Sequence, residues 1–212
     1  VIYNFVDADR FRRHNRSGCG CGKAIAPKGE KILVHVSNFR PVKRVQDVVM
    51  IFKKVHEKIP SKLLLIGDGP DRPLIESLCR SLGICSDIRF IGKQDQLEDI
   101  LGCSDLFLLP SEYESFGLAA LEAMASEVPL ISSNAGGLPE INIQGKTGFL
   151  SPVGDIDAMA DNAIMLLEDN NMLEQFRKQA YLQAQEFELP KIVPQYESLY
   201  RELIPKKKVA DL

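Results

Sequence analysis

Leu63-Leu64-Leu65-Ile66-Gly67-Asp68-Gly69-Pro70 is the stretch that decides the fold. Four apolar residues in succession leave no polar face, so they fit a strand covered on both sides. The Gly-Asp-Gly-Pro that follows closes it with a turn. The same pattern recurs on either side. Ile32-Leu33-Val34-His35-Val36 lies upstream. Ile88-Arg89-Phe90-Ile91-Gly92, Leu106-Phe107-Leu108-Leu109-Pro110, Leu130-Ile131-Ser132 and Gly148-Phe149-Leu150 lie downstream. Between the first two runs, Val45, Val48, Val49, Phe52, Val55 and Ile59 fall at helical spacing, and Pro60 stops them. Further helices are expected at about 71–82, 95–102, 117–126, 155–168, 171–187 and 192–203. Strands alternating with helices predict an α/β fold: a Rossmann-like doubly wound parallel sheet of about six strands with right-handed crossovers.

Composition limits the function classes. Of 212 residues, 45% are hydrophobic and 26% charged, which fits a soluble globular chain. There is no run of 18 apolar residues, so no membrane span is expected. Lys and Arg total 26 against 29 Asp and Glu, a net charge of -3. That balance gives no general attraction to nucleic acid or an anionic membrane, and any phosphate must be held by a local site. The five cysteines are an odd number with no signal peptide before them, so a reducing, cytoplasmic setting without a disulfide framework is expected. Cys19, Cys21 and His14 look like half a metal site, but no second ligand pair follows at zinc-like spacing. Residues 8–31 are polar, basic and glycine-containing, and read as a flexible loop. Val1 to Asp7 reads as a strand already under way; with no Met before it, the chain is expected to be a piece of a longer protein. Lys206-Lys207-Lys208 reads as a solvated tail.

In a doubly wound sheet, ligands bind outside the carboxyl ends of the strands, so the loops there carry the chemistry. Arg40 and Lys43 stand three residues apart before a helix. They suit a diphosphate, and equally a pair of exposed surface cations. Gly67 and Gly69 do not begin a dinucleotide fingerprint, since Arg72 occupies the place of a third glycine; a tight turn is the stronger reading. Gly145-Lys146-Thr147 is not a P-loop, because Glu140 stands where its first glycine belongs. The densest loop is Pro110 to Glu122. Ser115, Phe116, Gly117, Leu118 and Ala119 open a helix whose free N–H groups suit an anion. Glu114 lies before that helix and Glu122 within it, in an apolar run where an unpartnered carboxylate would be costly. Carboxylates accept hydrogen bonds from sugar hydroxyls. The constellation fits a sugar nucleotide.

These residues resemble a known family. Arg40-x-x-Lys43, Gly67-Asp68-Gly69-Pro70, Glu114 and Glu122 with seven residues between them, Asn134-Ala135-Gly136-Gly137-Leu138-Pro139-Glu140 and Gly145-Lys146-Thr147-Gly148 are similar to the retaining GT-B glycosyltransferases of family 4. Val1 to Asp7 resembles that family's interdomain segment, and only 8–31 finds no counterpart. The resemblance is closest to the bacillithiol-biosynthesis branch. It implies the C-terminal, donor-binding half of a GT-B fold: residues 1–31 as interdomain segment and loop, 32–190 as the nucleotide-sugar domain, and 191–212 as a C-terminal helix and basic tail. It further implies transfer of N-acetylglucosamine from UDP-GlcNAc to a small acceptor, L-malate, whose site lies mostly in an N-terminal domain missing here. A cell-wall or lipid-linked acceptor, or a non-catalytic sugar-nucleotide module, are the alternatives. By motif, Arg40 and Lys43 hold the diphosphate and stabilise the leaving group. Glu114 takes donor-sugar hydroxyls, and Glu122 the ribose. Gly92 and Lys93 lie against uracil, Gly67 and Gly69 shape the pocket floor, and Ser115 to Ala119 supply N–H groups. No metal and no cofactor beyond the donor is implied, and anomeric configuration is retained. The fragment alone is expected to be weakly active at most. The apolar face of the last helix is expected to fold back or to mediate self-association.

Overall fold

The computed structural model describes residues 1–12 and 20–204. Six strands form one sheet: β1 (Lys31–Val36), β2 (Ser61–Ile66), β3 (Ile88–Gly92), β4 (Leu106–Leu109), β5 (Leu130–Ser133) and β6 (Gly148–Ser151). Their spatial order is β3-β2-β1-β4-β5-β6, and every pairing is parallel. The α-helices among the described residues are α1 (Ala8–Phe11), α2 (Gly20–Ile25), α3 (Val45–His56), α4 (Arg72–Ser81), α5 (Glu98–Cys103), α6 (Leu118–Ala125), α7 (Leu138–Ile141), α8 (Ile156–Glu168), α9 (Asn170–Ala184) and α10 (Leu189–Leu203).

The apolar strands are explained by two cores, one on each face. Val34, Leu64, Ile66, Phe107 and Leu109 join the cluster that includes α6. Their chain neighbours Leu33, Leu63, Leu65, Leu106 and Leu108 join the opposite cluster, beneath α3, α4 and α8. Alternate side chains of a strand point to opposite faces, so burying both faces needs an unbroken apolar run. Each such side chain contributes about 1.5–3 kcal/mol on burial. Helix ends are fixed by local chemistry. Asp155 accepts from the Ala158 N–H at the start of α8, and Asp169 from the Asn171 and Met172 N–H groups at the start of α9.

The first part of the chain departs from the sequence reading. Residues 1–7 do not form a strand; only Val6 makes an isolated bridge, to Glu188. The expected flexible loop contains α1 and α2, and Ala8, Phe11, Ile25 and Ala26 are buried in the same core as β1. Helices of four and six residues show no apolar period, so only tertiary burial reveals them. Two later boundaries also shift. The expected helix at 171–187 divides into α9 and a 3-10 turn at Gln185–Phe187. α10 begins at Leu189 rather than 192, with Pro190 in its first turn, where a missing N–H costs nothing. Cys79 and Cys85 are free thiols, whereas Cys103 is disulfide-bonded, contrary to the expectation of unbridged cysteines. His14, Cys19 and the lysines of the tail lie outside the described residues. No helix among the described residues is long and apolar enough to cross a membrane.

Candidate functional site

The strand order reverses between β1 and β4, because the chain builds outward from β1 through β2 and β3 and then returns to its other side. Loops leaving adjacent strands in opposite directions open a crevice at their carboxyl ends. A cavity of about 390 Å³ occupies this position. Val36, Ser37 and Asn38 line it from the end of β1, and Leu109 from the end of β4. Lys43 enters from the loop after β1. Glu114 through Ala119 come from the loop after β4, and Asn4 from the segment before the sheet.

Backbone contacts hold these loops together. The Glu112 N–H donates to the Val42 carbonyl at 2.8 Å, tying the β4 loop to the β1 loop. Gly137 N–H donates to the Glu114 carbonyl at 2.8 Å. A side chain at Gly136, whose φ is +58°, would put its Cβ 1.9 Å from that same carbonyl oxygen, so the Gly136-Gly137 turn can buttress Glu114 only as glycine. The Lys43 ammonium meets Glu114 Oε1 at 2.5 Å, and Ser111 Oγ donates to the same oxygen at 3.0 Å. Glu114 Oε2 takes no hydrogen bond among the described residues. Glu114 is buried; its partner keeps 20% of its side chain exposed, on the cavity side.

Beside this pair, α6 begins without a capping side chain. Gly117 is the cap residue, at φ +94°, and contributes none. The first N–H groups of the helix therefore lack intrahelical partners and face the cavity with the positive end of the helix dipole. Leu118 and Ala119 carry these groups, and no acidic residue lies in the first turn.

His35, on β1, organises the opposite wall and was not singled out by sequence. It is fully buried. Its Nδ1 lies 2.8 Å from the Leu108 carbonyl and its Nε2 2.8 Å from Ser37 Oγ. Since a carbonyl can only accept, Nδ1 carries the proton and Nε2 accepts from the Ser37 hydroxyl. Ser37 Oγ in turn accepts from the Phe39 N–H at 3.3 Å. Burial pushes the His35 pKa down to about 4; the hydrogen bond to Leu108 opposes that shift and the Lys43 charge adds to it. The imidazole is thus neutral, and it fixes a loop in which Phe39 holds a strained positive φ of 35°.

The structure brings Lys43, Glu114, Ser115, Phe116, Gly117, Leu118 and Ala119 to one cavity and separates the other sequence candidates from it. Arg40 is exposed and does not line the cavity: the 3-10 turn Pro41–Lys43 carries Lys43 inward and leaves Arg40 outside. Arg40 thus stands exposed outside the cavity, and Lys43 faces it. Gly67 and Gly69 do accommodate close backbone approach, but to the neighbouring loop. A Cβ on Gly67 would lie 1.8 Å from the Ser37 carbonyl oxygen, and one on Gly69 2.0 Å from that of Asn38. They pack against Ser37 and Asn38, which line the cavity, and do not line it themselves. Gly92 ends β3, its carbonyl accepting from the Gly67 N–H at 2.8 Å, and Lys93 is exposed; neither lines this cavity. Glu122 also lies outside it, one turn into α6. Burial raises its pKa, the Arg10 charge lowers it and Glu98 raises it. Arg10 is itself ion-paired with Glu98. Among the described residues, no three His, Cys, Asp or Glu side chains form a group that could hold a metal ion.

The sequence matches the family described as glycosyl transferases group 1 over residues 22–183. The chain belongs to this family. It is 45% identical to N-acetyl-alpha-D-glucosaminyl L-malate synthase of Bacillus anthracis over 208 residues, covering 96% of the chain and 54% of that protein. It is 30% identical to 2-deoxystreptamine N-acetyl-D-glucosaminyltransferase of Niallia circulans, covering 81% of the chain and 45% of that enzyme. Among solved structures, sucrose-phosphate synthase of Thermosynechococcus elongatus superposes with a TM-score of 0.84 at 27% identity, over 95% of this chain and 52% of that one. Anabaena Alr3699/HepE, solved with UDP and glucose, superposes with a TM-score of 0.87 at 21% identity, over 95% and 56%. The family member described here is thus a Rossmann-like α/β unit of the GT-B class, and it spans about half the length of the curated relatives it matches.

Proposed function

We propose that this glycosyltransferase chain is the donor-binding half of a retaining enzyme that moves N-acetylglucosamine from UDP-GlcNAc to L-malate. The observation that carries the reading is the junction of one cation, one carboxylate and an uncapped helix start in a single cavity. The 45% identity to a malate synthase supports the choice of sugar and acceptor. The Lys43–Glu114 pair is a resting arrangement that a sugar diphosphate replaces. Lys43 turns to phosphate oxygens, and Glu114 accepts from donor-sugar hydroxyls. As the sugar–phosphate bond breaks, negative charge grows on the departing diphosphate. Lys43 and the N–H groups at Leu118 and Ala119 are already aimed at that charge, so little reorganisation is needed in the transition state. The acceptor attacks from the face the phosphate leaves, with that phosphate taking its proton, which retains configuration. Lys43 and the helix end supply the charge stabilisation without a metal. Glu122, beyond the first turn of α6, takes the ribose, and Gly92 and Lys93 the uracil. The full enzyme acts in the cytoplasm with a second domain that brings most of the acceptor site. The isolated chain therefore binds donor weakly and turns over little; a full transfer rate from this chain alone would overturn that point.

Calorimetric titration of UDP-GlcNAc tests the reading. Wild type binds, Lys43→Ala binds at least tenfold more weakly, and Glu114→Gln loses affinity for UDP-GlcNAc more than for UDP. Equal binding by all three defeats the site assignment. A second reading concerns α10, which leaves Leu199, Tyr200 and Leu203 exposed. This face packs on the other half of the full enzyme. In the isolated chain it drives self-association, and light scattering that stays monomeric across concentrations removes that second role.

A further inference from the structure

We propose that Asn4, from the segment before the sheet, is a ligand-binding residue whose side-chain amide donates to the diphosphate of the bound nucleotide. The inference rests on the donor-site reading above. Asn4 lines the same cavity as Lys43 and the start of α6, although it lies 39 positions before Lys43 in the chain. Its position is set by its neighbours. Tyr3 packs its ring against Phe116, with centroids 6.2 Å apart, and edge-on against Phe187 at 5.4 Å. Val6 N–H donates to the Phe187 carbonyl at 3.0 Å, and Leu189 N–H donates to the Val6 carbonyl at 3.2 Å. These contacts pin the residues on both sides of Asn4 to the α6 start and to the turn before α10.

The side chain itself is oriented. Asn4 Oδ1 accepts from the Phe5 N–H at 3.2 Å. That uses the acceptor end locally and leaves the Nδ2 donors without a partner among the described residues. An amide NH2 with both donors free, held beside free helix N–H groups and an ammonium, is matched by an anion rich in acceptor oxygens. A diphosphate supplies these. A sugar hydroxyl also accepts, but it needs no cluster of donors. The arrangement makes the segment before the sheet part of the nucleotide site, so its position and donor occupancy are coupled.

Two variants and two probes decide the matter, read by calorimetry on the same chain. Asn4→Ala removes the amide. Asn4→Asp keeps an oxygen for the Phe5 N–H, so the local turn survives, and replaces the donor with a negative charge. We expect Asn4→Ala to weaken UDP and UDP-GlcNAc equally, by about 5- to 10-fold, and Asn4→Asp to weaken both further. Unchanged UDP affinity in Asn4→Ala, or a loss confined to UDP-GlcNAc, overturns the proposal. So does an Asn4→Asp variant that binds UDP as wild type does, since the residue then serves only the turn. Lys43→Ala keeps the two readings apart. If Lys43→Ala loses UDP and both Asn4 variants retain it, this inference alone fails. If the wild-type chain takes up no UDP, the donor-site reading fails and takes this inference with it.

Discussion

Two cation–carboxylate pairs stand at opposite ends of the same sheet. At the amino end, Arg177 of α9 meets Asp105, just before β4, at 2.6 Å, with 2% and 8% of the two side chains exposed. At the carboxyl end, Lys43 meets Glu114 at 2.5 Å, with 20% and 11% exposed. The contact distances are nearly equal, yet the surroundings differ. Asp105 Oδ2 also accepts from the Ile32 N–H at 2.8 Å, which binds the pair into the start of β1. Arg177 donates a second hydrogen bond to Glu174 and buries its Nε without a partner. That pair has its cation sealed from solvent, although Asp105 also borders a cavity of about 390 Å³ beside Lys31 and Ile32. The other opens onto a cavity beside an uncapped helix, where an incoming anion competes for the ammonium. An ion pair thus serves as a brace when its cation is shut away from water and ligand, and as an exchangeable contact when the cation faces an open cavity.

The largest effect should come from breaking the amino-end pair. Asp105→Asn keeps the shape of the side chain but removes the buried carboxylate and leaves the guanidinium with the largely exposed Glu174 as its charge partner. Removing one partner of a buried pair costs about 3–5 kcal/mol. Urea unfolding should show that loss in the midpoint, with UDP affinity of the folded variant unchanged. A loss below ~1 kcal/mol would show that water reaches Arg177 and that this cation is no better sealed than Lys43.

The next effect is a pH dependence that belongs to the cavity wall. His35 titrates at about 4 when folded, against an ordinary value of 6.5. Between those values the unfolded chain binds the proton and the folded chain does not, so stability rises with pH across that window. On lowering the pH from 6.5 to 4, the His35 contribution should take away on the order of 3 kcal/mol. Unfolding curves at stepped pH measure it. A His35→Gln variant should lower stability at pH 7 and flatten the slope in that window, and an unchanged slope would place the titration elsewhere.

Lys43→Ala separates the two pairs by kind of effect. Its partner keeps Ser111 as a donor and the site is open to water, so the stability loss should stay near 1 kcal/mol or less. UDP affinity should fall at least tenfold, because a charged hydrogen bond to phosphate is lost. A variant that unfolds like Asp105→Asn and binds UDP normally would reverse the two roles.

How much of this was legible in the sequence follows from the range of the interactions. The strands were readable because burial on both faces leaves apolar runs such as Leu63 to Ile66. The β4 loop was readable because Glu114 and the residues to Ala119 are contiguous, so their chemistry survives as text. The His35–Ser37–Phe39 chain was not, since a histidine in an apolar strand announces neither its tautomer nor its partner at Leu108, 73 residues away. Asn4 was missed for the same reason: only the packing of Tyr3 on Phe116 and Phe187 carries it to the cavity. The short α1 and α2 left no period to find.

The smallest expected effect concerns the residue on which sequence and structure part most clearly. Spacing alone gave Arg40 and Lys43 equal standing, because both follow β1 and both precede α3. The backbone decides between them. Pro41 opens a 3-10 turn, and Arg44 closes it in the left-handed region at φ 48° and ψ 44°. Within that turn Lys43 comes round to Glu114, while Arg40 stays on the extended approach at φ -102° and ψ 159° and points to solvent. A solvated cation outside the cavity is screened and contributes little at physiological salt. Arg40→Ala should therefore leave UDP-GlcNAc affinity within about twofold of wild type. A tenfold loss would mean that Arg40 swings inward when the diphosphate arrives. The cavity would then use two cations and the open end of the sheet would rearrange on binding, while the pair at Arg177 and Asp105 would stay as it is.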